Sequence, residues 1–422
     1  MAISLTVLLE TSRAYFCQYR SAVLPEQEGE EWFNVGCSKT YIPKKDDFGF
    51  RLKLECVAVD CSTGTHLSPL CVIVTDPVIK LPDPPPRSVV PIGCRKKSCN
   101  FLSQSSNDTL RILSYNILAD LYTSGKYESY CPSWALVWEY RRQNLLQEII
   151  KYNADILCLQ EVQSNHFDNF LKPELTKLGY SVLFTKRDHL VYAGEYITDG
   201  CATFYRRDRF KAIRVCELEF AKMASRVVNA LEPGLQSVVN IDLRKVAALV
   251  DELENIIAQL QIPLLVCGDF NSLPLSDPHK FIVTGRLDLY EESTDDPYGI
   301  YQHLKLHHPT SLTSAYASFC LPDAVEGRQV RNFDPSTREP LFTHFSPEAS
   351  RTLDYIFYTA DSLKVVGLLE LLNREDLGTG IPSALWSSDH MALMAIFRMK
   401  PLLYRTPASH HTRPAASGRQ LP

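Results

Sequence analysis

The chain has 422 residues, of which 45% are hydrophobic and 22% charged, close to the soluble globular average; this excludes wholesale disorder, a collagen-like repeat and a coiled coil. Lys and Arg total 44 against 49 Asp and Glu, a formal charge of −5, so no globally basic coat holds nucleic acid by charge alone. A polyanionic substrate would need a local site, with metal ions offsetting its charge.

At about 100–200 residues per domain the length allows two or three domains. The first ten residues read as a strand and not as a signal peptide, because no positive residue precedes the apolar run. No run approaches the roughly 18 apolar residues of a membrane span. Residues 32–36, 51–60 and 70–75 read as strands, so 1–80 is expected to be a small β-rich module resembling a partial immunoglobulin-like sandwich. An interaction module is its default reading. Seven of the thirteen cysteines lie before residue 100 and none forms a Cys-x-x-Cys. Buried, reduced thiols of a cytosolic protein are expected there, with a zinc site as the alternative. The sequon at Asn107 is expected to carry no glycan.

Leu81-Pro82-Asp83-Pro84-Pro85-Pro86-Arg87 marks a boundary, since consecutive prolines remove backbone donors and fix φ. The stretch 81–109 is expected to be a Pro-rich linker and 110–400 the main body. There, apolar strands (110–115, 155–159, 181–184, 262–267, 355–358 and 391–397) alternate with helical spacings at 140–152, 174–178 and 246–260. The mixture predicts sheets covered by helices, a layered α/β architecture. Residues 401–422, without an acid, read as a disordered tail.

Four strings share one design, an apolar strand ending in a carboxylate, an amide or a histidine: Ser114-Tyr115-Asn116, Leu159-Gln160-Glu161, Gly268-Asp269-Phe270-Asn271 and Ser388-Asp389-His390. Leu353-Asp354-Tyr355 adds an acid inside a fifth strand. Any one Asp after a strand is more often a turn or a cap. Four acids, two amides and an imidazole converging would repel strongly without positive charge. A hard divalent cation supplies it, and oxygen ligands select Mg²⁺. Asp269 and Asn271, two apart, point to one side of an extended backbone. Such a site suits phosphodiester hydrolysis, in which a metal neutralises phosphate and activates water and an imidazole assists proton transfer or binds phosphoryl oxygens.

The strings at 114–120, 155–162, 267–272, 352–358 and 386–390, with those at 32–41, 130–136, 140–144 and 199–204, resemble the endonuclease/exonuclease/phosphatase superfamily. The resemblance is closest to the carbon catabolite repressor four type of poly(A)-specific ribonuclease in its plant form, over roughly residues 30–400. It implies an α/β, four-layer sandwich of two packed β-sheets flanked by helices, with 110–400 as the catalytic domain. It implies a Mg²⁺-dependent 3′-to-5′ exoribonuclease that shortens mRNA poly(A) tails and releases AMP, in cytoplasm and nucleus. Glu161 would be a Mg²⁺ ligand, and Asn116 and Asn271 would position metal-bound water and phosphate. Asp269 would activate or orient the attacking water. Asp389 would contact the second metal region, and His390, held by Asp354, would face the scissile phosphate.

Departures accompany the resemblance. The family's Asn-Thr-His strand has no counterpart, for no histidine lies between His189 and His279, so 221–245 reads as shortened. The aromatic suited to stacking on adenine before Asp354 is replaced by Ala349-Ser350-Arg351, with Phe345 the nearest substitute. No leucine-rich repeat spacing occurs in the first 110 residues, which weakens one route into the carbon catabolite repressor–NOT deadenylase complex. Two alternatives follow: a catalytically impaired relative that binds RNA or a complex, and a phosphodiesterase for another substrate.

Overall fold

The computed structural model describes residues 14–22, 32–37, 41, 43–60, 63–80, 82–93, 108–187, 198–217, 249–250, 253, 262–287, 307–309, 312–320 and 327–401. The expectations for 1–10, the sequon asparagine, 221–245, most of the helix at 246–260 and nearly all of the tail lie outside them.

Strands β1 (Ala14–Ala22), β2 (Trp32–Gly36), β3 (Arg51–Val59) and β4 (Cys71–Pro77) form one antiparallel sheet in the order β2-β1-β3-β4. Among the described residues no second sheet faces it, and β4 leaves Val72, Ile73 and Val74 exposed. The described cysteines are reduced, but Cys37 and Cys71 are exposed and Cys56 half-buried. Cys37 follows the end of β2 and Cys71 opens the outer strand β4, while Cys56 lies on the inner strand β3 with its side chain only partly covered.

The main body holds β5 (Val89–Pro91), β6 (Thr109–Asn116), β7 (Ile156–Gln160), β8 (Tyr180–Lys186), β9 (Gly200–Arg206), β10 (Leu265–Asp269), β11 (Thr313–Ser314), β12 (His344–Phe345), β13 (Ser350–Arg351), β14 (Asp354–Tyr358), β15 (Leu363–Leu369) and β16 (Leu393–Met399). A seven-stranded sheet runs β5-β15-β16-β6-β7-β9-β8 and a three-stranded sheet runs β10-β14-β11. Alternation along the strands divides the core into layers. Ile112, Leu393, Ala395 and Phe397 of the large sheet meet Ile356 and Tyr358 of the small one. On the outer face Leu113, Leu157 and Phe204 pack on Leu145, Ile149 and Tyr152 of the helix Trp138–Tyr152 and on Leu175. Tyr355 and Phe357 pack on Phe281 and Ile282 of the helix Asp277–Thr284. Each such side chain, fully buried, contributes about 1.5–3 kcal/mol. Helix, sheet, sheet and helix make the four layers.

The segment 81–109 does more than link. Val89–Pro91 pairs with β15 at the sheet edge. Arg87 is buried and donates to the Glu370 and Ala392 carbonyls at 2.8 Å each, anchoring the proline run to the main body.

Register places the polar termini. β6 and β7 are parallel, with Asn116 opposite Gln160. β10 and β14 are antiparallel, with Asp269 opposite Asp354. The last residues of β6, β7 and β10 and the first of β14 therefore share one end of the sandwich. Asp354 opens its strand and does not lie inside it.

Candidate active site

Asn116 is the hub of one corner. Its Nδ2 donates to Glu161 Oε1 at 2.9 Å and to Asp269 Oδ2 at 3.2 Å, while its Oδ1 accepts the Leu118 amide at 3.0 Å. One carboxamide thus joins carboxylates from two strands. Glu161 follows β7 with φ +53°, and Asn271 follows β10 with φ +48°. Left-handed backbone at a non-glycine costs on the order of 1–3 kcal/mol and clusters at functional sites. Here Asn271 Nδ2 comes within 3.5 Å of Asp269 Oδ2 at the end of its own strand, while the Glu161 carboxylate reaches Asn116 at the end of β6. The Asn271 amide caps Asp269 Oδ1 at 2.8 Å.

His390 forms the second corner. Its Nδ1 lies 2.7 Å from Asp354 Oδ2, which also accepts the Thr343 hydroxyl at 2.6 Å. Its Nε2 stands 3.8 Å from Asp269 Oδ2 and 4.0 Å from Asp389 Oδ1. Ser388 ties this loop to β6, its hydroxyl donating to the Asn116 carbonyl at 2.7 Å. All seven residues singled out in the sequence therefore meet at one end of the sandwich.

Charge balance dominates the electrostatics. Burial, and then the neighbouring Asp354, push Asp269 up to about 6. Burial also raises Glu161, with Asp389 adding to it. Burial works against the charged His390, yet Asp354, Asp389 and Asp269 overcome it and push the imidazole up to about 10. Asp389 is held low despite burial by a hydrogen bond from His344 and the charge of His390. Four carboxylates facing so few cations are short of positive charge. Asp354 Oδ1 and Asp389 Oδ1 are buried without hydrogen-bond partners. The oxygen-rich corner of Glu161, Asp269 and Asn116 has the donor chemistry of a hard divalent cation. The set Asp269, Asp354 and His390 also converges closely enough to surround an ion.

Four participants escaped sequence reasoning. The Tyr127 hydroxyl donates to Asp389 Oδ2 at 2.6 Å, and Lys126 Nζ is 3.5 Å from the same oxygen. Nothing in the local sequence marks these two. His344 Nε2 lies 3.3 Å from Asp389 Oδ2; a histidine just upstream of Leu353-Asp354 was the available signal. Arg141, fully buried, donates to the Ile117, Leu118 and Ser387 carbonyls and to Asp120. It clamps the loop after Asn116 to the loop before Asp389, although the string 140–144 was read only as a mark of resemblance.

One expectation fails. Phe345 is 3% exposed, packed against Phe342 and beneath the Arg374 guanidinium. It belongs to the core between the sheets and offers no face to a base. The alternating strand pattern turns it inward while its neighbour His344 faces the site.

A family model described as the Endonuclease/Exonuclease/phosphatase family matches residues 113–390, the span from β6 to His390, and the chain belongs to that family. Within it, the branch is the carbon catabolite repressor protein 4 type. The chain is 42% identical over 431 residues to Carbon catabolite repressor protein 4 homolog 1 of Arabidopsis thaliana, covering 88% of this chain and 72% of the relative. With homolog 2 of the same plant it shares 38% over 444 residues, covering 91% and 73%. A more distant relative is the CCR4-Not complex 3'-5'-exoribonuclease subunit Ccr4 of Saccharomyces cerevisiae, 29% identical over 68% of this chain and 38% of that protein. Among solved structures, ANGEL2, a 2',3'-cyclic phosphatase, superposes with TM-score 0.55 at 25% identity, covering 74% of this chain and 97% of that one. Among the described residues no helix is long and apolar enough to cross a membrane.

Proposed function

We propose that this chain is a Mg²⁺-dependent 3′-to-5′ exoribonuclease that removes poly(A) tails from mRNA and releases AMP, acting in cytoplasm and nucleus. The observation that carries the reading is the Asn116 carboxamide bonded to both Glu161 and Asp269, with the Asp354–His390 pair beside them. The yeast relative named as a 3'-5'-exoribonuclease supports the direction of digestion.

In this reading Glu161 would hold Mg²⁺, and Asp389 would contact the second metal region. The bound ion supplies charge neutralisation and a more acidic water. The chain's own residues do the rest. Asn116 spaces the two carboxylates and, with Asn271, orients water and phosphate. Asp269, ionised for the most part at pH 7 given a pKa near 6, accepts the proton of the attacking water as its oxygen joins the phosphorus. The bond to the preceding nucleotide's 3′ oxygen then breaks; that oxygen keeps the bonding pair and takes a proton from solvent to become the new 3′ hydroxyl. His390, aligned by Asp354, donates from Nε2 to the phosphoryl oxygens, where negative charge grows. Partners by this reading are the mRNA 3′ end and the carbon catabolite repressor–NOT complex. Residues 1–80 would form a separate interaction module.

The test is purified protein with Mg²⁺ on 3′-adenylated RNA beside Glu161→Gln. A ladder of shortened products that the variant loses supports the proposal. Folded protein that cuts nothing points to the catalytically impaired relative. Cleavage confined to another phosphodiester, such as a 2′,3′-cyclic end, points to a different substrate.

A further inference from the structure

A second set of ligand atoms stands beside His390, adjoining the corner built on Asn116 and Asp269 but including neither Asn116 nor Glu161. His344 bridges His390 backbone to backbone, and the two rings lie 5.0 Å apart at 66°. His344 Nε2 is 3.3 Å from Asp389 Oδ2, and His390 Nε2 is 4.0 Å from Asp389 Oδ1. The three residues offer ligand atoms all within 4.8 Å of one another. Asp389 is 4% exposed, and its Oδ1, directed toward His390, is buried with no hydrogen-bond partner. His390 Nδ1 is occupied by Asp354, which fixes the ring with Nε2 facing inward. A carboxylate behind an imidazole is the usual support of a metal-ligating histidine.

We propose that His344, Asp389 and His390 form a binding site for Zn²⁺ in preference to Mg²⁺. Two imidazole nitrogens and one carboxylate suit a borderline cation and not a hard one. Three protein ligands leave the fourth, water-bearing position of an open zinc site. Zinc–ligand bonds of about 2.0–2.1 Å in tetrahedral geometry set donors roughly 3.3 Å apart. His344 Nε2 and Asp389 Oδ2 already stand at 3.3 Å, and His390 Nε2, 4.0 Å from Asp389 Oδ1, needs only a small approach to close the set. Lys126, half-exposed beside Asp389, withdraws on its flexible stem as the cation takes over the carboxylate. The Glu161 carboxylate, outside this set, stays available to Mg²⁺. Resting on the function proposed above, zinc here would occupy the His390 Nε2 that faces phosphate, and so would inhibit cleavage. The binding itself is independent of that reading.

The test titrates full-length, reduced protein with Zn²⁺ by calorimetry, and with Co²⁺ as a spectroscopic probe, without RNA. Wild type is compared with His344→Gln, His344→Ala, Asp389→Asn and Glu161→Gln, each checked for an unchanged melting temperature. A binding event at least about tenfold weaker in the folded His344 and Asp389 variants, but within twofold of wild type in Glu161→Gln, is the expected result. Subtracting the His344→Gln titration removes binding by cysteines. Identical binding in wild type and both His344 variants overturns the proposal, as does loss in Glu161→Gln alone. If zinc binds as expected but the RNA assay shows no cleavage, the functional reading fails and the site stands.

Discussion

His390 Nδ1 lies 2.7 Å from Asp354 Oδ2, and the Thr343 hydroxyl reaches the same oxygen at 2.6 Å. Two independent donors on one buried carboxylate oxygen fix the imidazole plane before any substrate arrives. Preorganisation of this kind makes a hydrogen bond effective in a transition state. His390→Gln should lower kcat by about 10²-fold or more, with the fold retained. A single-turnover rate within threefold of wild type would remove His390 from the chemistry.

The same pair sets a pH dependence in metal-free protein. The folded pKa of His390 is raised from 6.5 to about 10. Its contribution to stability is therefore complete below the unfolded pKa of 6.5 and is lost as pH rises through about 10. Nitrogen-detected NMR of the imidazole should show His390 still protonated at pH 8. A midpoint near 6.5 would mean that the carboxylates do not hold the proton.

Arg141 is fully buried and serves three carbonyls and Asp120. Replacing it with Leu strands those acceptors and should cost about 3–5 kcal/mol, the cost of removing one partner from a buried ionic network. Urea denaturation measures this, and a loss below about 1 kcal/mol would show that the two loops hold their positions without the clamp.

Burial of Phe345 separates packing from recognition. Phe345→Ala should destabilise the fold by about 3–5 kcal/mol through the cavity it leaves. Phe345→Leu should leave the rate ratio between adenylate and uridylate tails unchanged. A selective loss on adenylate, worth about 1–3 kcal/mol as for a stacked base, would return Phe345 to the substrate.

The site was legible in part: Asn116, Glu161 and Asp269 end or follow strands, whereas Asp354 opens β14 and Asp389 and His390 precede β16 instead of ending a strand, contrary to the expectation for Ser388-Asp389-His390. Asn116, Glu161 and Asp269 each follow an apolar run whose period fixes strand and register, so convergence could be argued before any contact was known. His344 and Tyr127 were missed because Asp389 gathers them across distances of 45 and 262 residues, and no local period encodes such an approach. Phe345 was misplaced for a related reason. Its two-residue strand is too short for its inward face to be read from alternation. The N-terminal strands were legible from apolar runs at 51–60 and 70–75, but the number of sheets they build depends on which faces find partners, and β4 finds none among the described residues.

Metal removal follows from the charge balance. Stripping divalent ions with a chelator should abolish hydrolysis without unfolding the chain, since the two sheets are packed by apolar side chains and not by the site. Mg²⁺ should restore activity fully. Undiminished activity in the stripped protein would contradict the oxygen-rich corner as a cation site.

By the function proposed above, Glu161, Asp269 and Asn116 build one hydrolytic centre for RNA 3′ ends. The most direct measurement is time-resolved electrophoresis of a 3′-adenylated RNA with wild type and Glu161→Gln, alongside nucleotide analysis of the released product. Wild type should shorten the tail one nucleotide at a time and release AMP, and a variant of unchanged melting temperature should do neither. Equal shortening by both proteins would contradict that function.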